Sequence, residues 1–198
     1  FVLEVIERVA FEAREDKRVD RRSGVSQRLP ISVLEAAVSN AERRALAHHE
    51  PAVTPRLSDI YASVPSITGK LELEYEGELQ GPDVVAKELI RRAAGATLAE
   101  RMGDIDLESV AGWFDKGGAL KVAGDEKTAT CLKGFSVVPG LVYAVVAGEL
   151  ARRDQPARIV SACELVLEGL AAQRRITRSE DLGDVRAKPE RKQPGHGK

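Results

Sequence analysis

The residues with the clearest chemical potential form a basic cluster near the start of the chain. Six basic residues lie between positions 14 and 28, among only three acidic ones. Arg28 stands just before a predicted helix, where its planar guanidinium can reach a phosphate held by a neighbouring domain. A solvated loop is the alternative for such a charge run, and the spacing alone does not decide. The basic residues are Arg14, Lys17, Arg18, Arg21, Arg22 and Arg28.

Two other patterns imitate ligand sites. Residues 66–70 end in Gly-Lys, but a phosphate-binding loop requires a glycine five positions before Gly69 and a hydroxyl residue after Lys70. The chain has neither, so we predict a turn that leads into a strand. His48 and His49 are adjacent on a predicted helix and point about 100° apart, so they are poorly placed to bind one metal ion. We therefore predict a polar helix end there and no metal site.

An acidic row and an aromatic pair have two interpretations each. Leu71, Leu73 and Tyr75 alternate with glutamates, which predicts a half-buried strand. Its acidic face is either solvated, which discourages edge pairing, or docks a cation or a basic partner. Trp113 and Phe114 either pack centrally in a core poor in aromatics or anchor a partner. The acidic residues are Glu72, Glu74, Glu76 and Glu78.

The elements that must position these residues are mostly helices. Apolar residues recur at helical spacing in most of the chain, so we predict a mainly α fold with one or two short β-strands. We predict that Ser32 and Glu35 form a capping box at the start of the second helix, which ends near His48. Pro51 and Pro55 then mark a boundary. The remaining predicted helices are 1–16, a short helical turn near 57–62, 82–102, 106–116, 139–152 and 156–173, with a brief strand at 120–122.

The composition is that of a globular protein with a balanced charge. Of 198 residues, 43% are hydrophobic and 31% charged, and the net charge is -1. This balance gives no global attraction to nucleic acid or to anionic membranes. No apolar stretch reaches the ~20 residues that cross a bilayer, so we expect a cytoplasmic protein. Cys131 and Cys163 lie in apolar surroundings without metal-ligand spacing, which predicts buried free thiols.

The segment Gly24–Arg28 resembles the lid of AAA+ ATPases, specifically the MoxR and magnesium-chelatase group. In those lids a short Gly-x-Ser-x-Arg turn opens a helix rich in alanine and arginine, as it does here. Gln27 departs from the pattern, because many members carry proline at that position. Residues 73–78, 113–118 and 166–170 are also similar to one chelatase-like bacterial subgroup. Taken together, the resemblance covers most of residues 1–175.

The resemblance implies a role for Arg28 as the second nucleotide sensor, which contacts the γ-phosphate of ATP. ATP and Mg²⁺ would be bound mainly by an upstream P-loop ATPase domain that this sequence does not include, so the chain alone should be inactive. The implied assembly is a homo-oligomeric ring. The implied organisation is a helical AAA+ lid-like bundle at 1–50 and a mostly helical extension at 55–175. Residues 176–198 lack apolar periodicity, which predicts a disordered tail.

A helical protein-interaction module or regulator without enzymatic activity is the alternative function. Its unknown protein partner would bind the acidic row and the long helices. A nucleic-acid binder is disfavoured, because acidic residues dilute the basic ones and exposed aromatics do not accompany them.

Overall fold

The structure is a computed structural model and describes residues 1–22, 25–103, 105–178 and 184–186. Helices dominate this part of the chain, which confirms the predicted mainly α fold. The elements are α1 (Val2–Glu15), α2 (Leu29–His48), α3 (Leu57–Ala62), α4 (Val64–Thr68), α5 (Tyr75–Gln80), α6 (Pro82–Met102), α7 (Glu108–Asp115), β1 (Leu120–Lys121), α8 (Thr128–Phe135), α9 (Leu141–Ala147), α10 (Pro156–Ala172), β2 (Thr177–Arg178) and β3 (Asp184–Arg186).

The centre of the fold is the contact between α6 and α10. Glycines allow these helices to approach closely, since a Cβ at Gly169 would lie 2.8 Å from the Cβ of Leu98. A Cβ at Gly95 would lie 2.6 Å from that of Ala172. Helix α1 packs on α6 from another side through an apolar stripe at helical spacing. That stripe is formed by Val5, Ile6, Val9, Ala10 and Ala13, all buried.

The hydrophobic core is continuous across the predicted boundary between residues 1–50 and 55–175. A single cluster of buried residues joins α1 and α2 to α6 and α10. The two predicted units therefore share their interior, which counts against a lid of residues 1–50 that swings on its own. The division of the chain into residues 1–50 and 55–175 stays a prediction.

The start of α2 differs from the prediction. The helix begins at Leu29, with Pro30 in its first turn, and its N-cap residue Arg28 makes no side-chain cap hydrogen bond. Ser32 therefore lies inside the helix, and the predicted capping box with Glu35 is wrong. Proline is favoured in a first turn because its missing N–H needs no partner there. The predicted helix end at His48 is confirmed.

The predicted strand at residues 71–75 is mostly replaced by other structure. Among the described residues, this segment forms bridges only at Leu71 and Leu73, each to one residue of the segment before α2. Tyr75 already belongs to α5. The alternation was real, since Leu71 and Leu73 are half-buried and Glu72 and Glu74 are exposed. It continues only as far as Glu74.

The described part of the chain has three short strands: β1 precedes α8, and β2 and β3 follow α10. Strand β3 pairs with both β1 and β2, antiparallel in each case, so the order is β1-β3-β2. Ile176 is buried. The predicted disordered tail of residues 176–198 therefore does not begin at residue 176, and its remaining residues, 179–183 and 187–198, lie outside the described part.

Helix α8 was not predicted, and α9 is shorter than expected. Both cysteines are free and buried, as predicted. Among the described residues, no helix is long and apolar enough to cross a membrane.

Candidate functional site

The basic cluster lies on the connection between α1 and α2, and backbone contacts fix this connection at two points. Val19 bridges Leu73 and Val25 bridges Leu71, both antiparallel. The amide of Glu74 donates to the carbonyl of Arg18 at 2.8 Å. Val19 and Val25 are buried, so apolar packing holds the two points as well. The cationic side chains between them are therefore presented from an anchored backbone.

Arg18 differs from the other basic residues of the cluster, because its guanidinium is already paired within the chain and is not available to a ligand. Its guanidinium pairs with Asp16, with Nη2 2.7 Å from Oδ2, and with Glu88, with Nη1 2.5 Å from Oε2. Nη1 also donates to the side-chain oxygen of Gln80 at 2.7 Å. Hydrogen bonds from Arg18 hold the pKa of Asp16 well below its usual range, against burial, which raises it; Arg92 also lowers it. Arg18 therefore fixes α1 to α5 and α6.

The other five basic residues are exposed. Within the part of the chain that the structure describes, none of their side chains forms an ion pair. The Arg14 guanidinium lies 5.5 Å from the centre of the exposed Phe11 ring. A groove of about 530 Å³ opens beside them, lined by Arg14, Glu15, Val19, Asp20, Arg21, Val25 and Gln27. The five residues are Arg14, Lys17, Arg21, Arg22 and Arg28.

Arg28 is the residue that precedes the first turn of α2. Its backbone N–H donates to the hydroxyl of Ser26 at 3.3 Å, while its side chain is exposed. Arg28 is the N-cap residue and makes no side-chain cap hydrogen bond, and the positive end of the helix dipole lies at this position. Helix N-terminus and guanidinium both favour an anion. Gly24 of the predicted motif lies outside the described residues.

A buried polar cluster, which the sequence did not indicate, joins α2 to α3. The Arg44 guanidinium lies 2.5 Å from the carboxylate of Asp59 and donates to the carbonyl of Thr54 at 2.8 Å. Asn40 and the amide of Arg56 also donate to Asp59, at 2.6 and 2.8 Å. Arg44 and Asp59 are both almost fully buried. Spacing carries no signal for this pair, because the partners come from different helices.

Arg56 holds the loop that follows β1. Its Nη1 donates to the carbonyl of Glu126 at 2.9 Å and its Nη2 to the hydroxyl of Thr128 at 3.0 Å. His48 contacts the carbonyl of Asp125 at 2.6 Å. His49 is the C-cap residue of α2 and adopts a left-handed backbone conformation. His48 thus contacts the loop through its ring, whereas His49 ends the helix. In the described residues, no cluster of three or more His, Cys, Asp or Glu side chains is arranged to hold a metal.

Two buried glutamates on α10 have contrasting environments. Glu168 accepts from the Tyr61 hydroxyl at 2.6 Å and pairs with Arg91 and Arg178. Glu164, one turn earlier, accepts from the Ser58 amide at 2.9 Å, and its Oε1 has no hydrogen-bond partner among the described residues. Burial raises the pKa of the Glu164 carboxyl, although the Ser58 amide and the charge of Arg56 lower it.

The remaining candidates take structural positions. Residues 66–70 lie at the end of α4 and in the turn after it. Phe114 is fully buried, and Trp113 packs on it edge to face, with ring centres 4.9 Å apart. The glutamates of the acidic row are exposed, and their side chains form no ion pairs in the described chain.

Comparison of the chain with protein-family models, with curated proteins and with solved structures gives no match.

Proposed function

We propose that the chain is the C-terminal lid and extension of a cytoplasmic AAA+ ATPase of the magnesium-chelatase-like type. In this proposal Arg28 contacts the γ-phosphate of ATP that an upstream P-loop domain holds with Mg²⁺. The observation that carries the proposal is the position of Arg28, which is exposed at the N-terminus of α2 and has no acidic partner in the described chain.

The proposed mechanism couples the nucleotide to the position of α2. Charge-assisted hydrogen bonds from Arg28, supported by the helix dipole, would stabilise the triphosphate state. Hydrolysis and phosphate release would remove this tether, and the helical part would move relative to the ATPase domain. The same movement in each subunit of a homo-oligomeric ring would remodel an unknown protein partner.

The continuous core makes this proposal more specific. Helices α1 and α2 share their interior with α6 and α10, so residues 1–50 would not move alone. The moving unit would instead be the whole helical body, with Arg28 at its surface.

The test is ATP turnover in the protein that joins this chain to a P-loop domain. Loss of one charge-assisted hydrogen bond to the transition state should lower turnover by about 10- to 100-fold in Arg28→Ala. Arg28→Lys should retain part of the activity, because it keeps the charge without the planar fork. Arg153→Ala is the matched control, since Arg153 is also exposed and unpaired in the described chain.

Unchanged turnover in a correctly folded Arg28→Ala protein would refute the sensor role. A reading frame without a GxxxxGK[ST] loop upstream of this chain would refute the ATPase assignment itself. That second outcome favours the alternative, a non-enzymatic interaction module, which is supported by the exposed and unpaired glutamates of the acidic row.

A further inference from the structure

Two surface patches of opposite charge remain unpaired side by side. The acidic ridge consists of Glu72, Glu74, Glu76 and Glu78, all exposed. The basic loop, as we call it, consists of Arg14 in the last turn of α1 and of Lys17, Arg21 and Arg22 in the connection after it, all exposed. None of these eight side chains forms an ion pair in the described part of the chain, although many other charged residues of the fold do.

The patches are neighbours because α5 packs directly on Arg18, in the middle of the basic loop. A Cβ at Gly77 would lie 2.7 Å from the carbonyl oxygen of Arg18, so the helix rests on this backbone. The amide of Asp20 donates to the carbonyl of Glu72 at 2.8 Å. The acidic ridge and the basic loop are therefore neighbours on the surface, and no ion pair joins them in the described chain.

Large apolar side chains are exposed within the same patches. Tyr75 and Leu79, one turn apart on α5, are 77% and 69% exposed. Phe11, beside Arg14, is 63% exposed. Aromatic residues and arginines are the residue types that contribute most to the affinity of protein interfaces. Charge and apolar area together are typical of a surface that another protein covers.

We propose that a second copy of this chain covers this face, in a two-fold symmetric dimer. The acidic ridge of each copy would contact the basic loop of the other, and α5 would lie along the groove above Val19 and Val25. Adjacent patches of opposite charge are self-complementary across a two-fold axis. Nucleic acid and anionic membrane fit this face poorly, because the acidic ridge repels them.

The dimer needs no nucleotide and does not depend on the function of Arg28. A two-fold contact closes at two copies, so it would be separate from any ring contact.

The test is sedimentation velocity of the chain over a range of micromolar concentrations. We expect a dimer whose dissociation constant rises with salt. The double variants Arg21→Glu/Arg22→Glu and Glu76→Lys/Glu78→Lys should each weaken dimerisation at least about tenfold, because they place like charges opposite each other. An equimolar mixture of the two variants should form a 1:1 heterodimer, because both contacts are then matched again.

Lys133→Glu/Arg153→Glu is the control, since it reverses two exposed and unpaired charges elsewhere and should leave dimerisation unchanged. A monomeric wild-type chain at all concentrations would overturn the proposal. So would unchanged dimerisation of both charge-reversed variants, or a mixture that fails to associate. Assemblies larger than two in the mixture would exclude the two-fold arrangement.

Discussion

The guanidinium of Arg18 forms a bidentate ion pair with the carboxylate of Asp16: Nη2 lies 2.7 Å from Oδ2, and Nε lies 2.9 Å from Oδ1. Arg92 reaches the same carboxylate from α6, with Nη2 2.6 Å from Oδ2. Asp16 is almost buried at the end of α1. The Asp16 carboxylate thus connects the end of α1 to Arg18 in the following connection and to Arg92 of α6.

Asp16→Asn should destabilise the fold at neutral pH by about 1.5–3 kcal/mol, the range for hydrogen bonds to a charged group. The folded-state pKa of Asp16 is lowered, so its contribution is present above the ordinary carboxyl pKa and lost as the pH falls. Urea unfolding at several pH values should therefore show a smaller acid-induced loss of stability in the variant than in the wild type. Glu15→Gln is the control, because Glu15 is exposed and unpaired in the described chain. Parallel curves for Asp16→Asn and wild type would contradict the prediction.

Gly169→Ala should destabilise the chain, although alanine is the better helix former. The new methyl group would meet the Cβ of Leu98 at 2.8 Å and separate α6 from α10, at a cost of about 1–3 kcal/mol. Gly112→Ala is the matched control in α7, where an added Cβ meets nothing within 4 Å. It should stabilise the chain by up to about 1 kcal/mol, through helix propensity. Thermal unfolding of both variants measures the difference, and a stabilised Gly169→Ala would refute the close crossing.

Local patterns predicted most of the helices but not how they combine. The periodicity that predicts α6 and α10 depends only on neighbouring residues, so the ends near Met102 and Gln173 could be placed from the sequence. The single continuous core could not be predicted in this way, because it depends on which helix faces pack against each other. Leu71 and Leu73 alternate correctly with glutamates, yet the described part of the chain shows two isolated bridges there and no strand, because α5 begins at Tyr75.

In the candidate site, too, the sequence did not indicate which side chains pair with each other. The sequence identified the basic cluster but could not separate Arg18 from Arg28. Arg18 is neutralised by Glu88 of α6, seventy positions away. A partner so distant in sequence leaves no local signal, and the same holds for Arg44 with Asp59.

Asp59→Ala should destabilise the chain by about 3–5 kcal/mol, because it leaves the Arg44 guanidinium buried without its counter-charge. Replacing both partners, in Arg44→Met/Asp59→Leu, should cost less than Asp59→Ala alone. Arg43→Met is the neighbouring control, since Arg43 is exposed and should change stability by no more than about 0.5 kcal/mol. Chemical denaturation of the four proteins completes the comparison. A larger loss in the double variant than in Asp59→Ala would show that the pair itself stabilises the fold.

Glu164→Gln should change the pH dependence of stability in the opposite direction to Asp16→Asn. The pKa of Glu164 is raised by burial in the folded state, so the protonated acid is favoured there. Its stabilising contribution is complete below the ordinary carboxyl pKa and is lost as the pH rises toward the folded-state value. Glutamine keeps an acceptor for the Ser58 amide without a charge, so the variant should gain stability relative to wild type as the pH rises.

Glu168→Gln is the contrast, because it removes the counter-charge of Arg91 and Arg178 and should destabilise the fold. The measurement is the free energy of unfolding from mildly acidic to mildly alkaline pH. A Glu164→Gln curve parallel to wild type would mean that Glu164 is ionised in the folded chain.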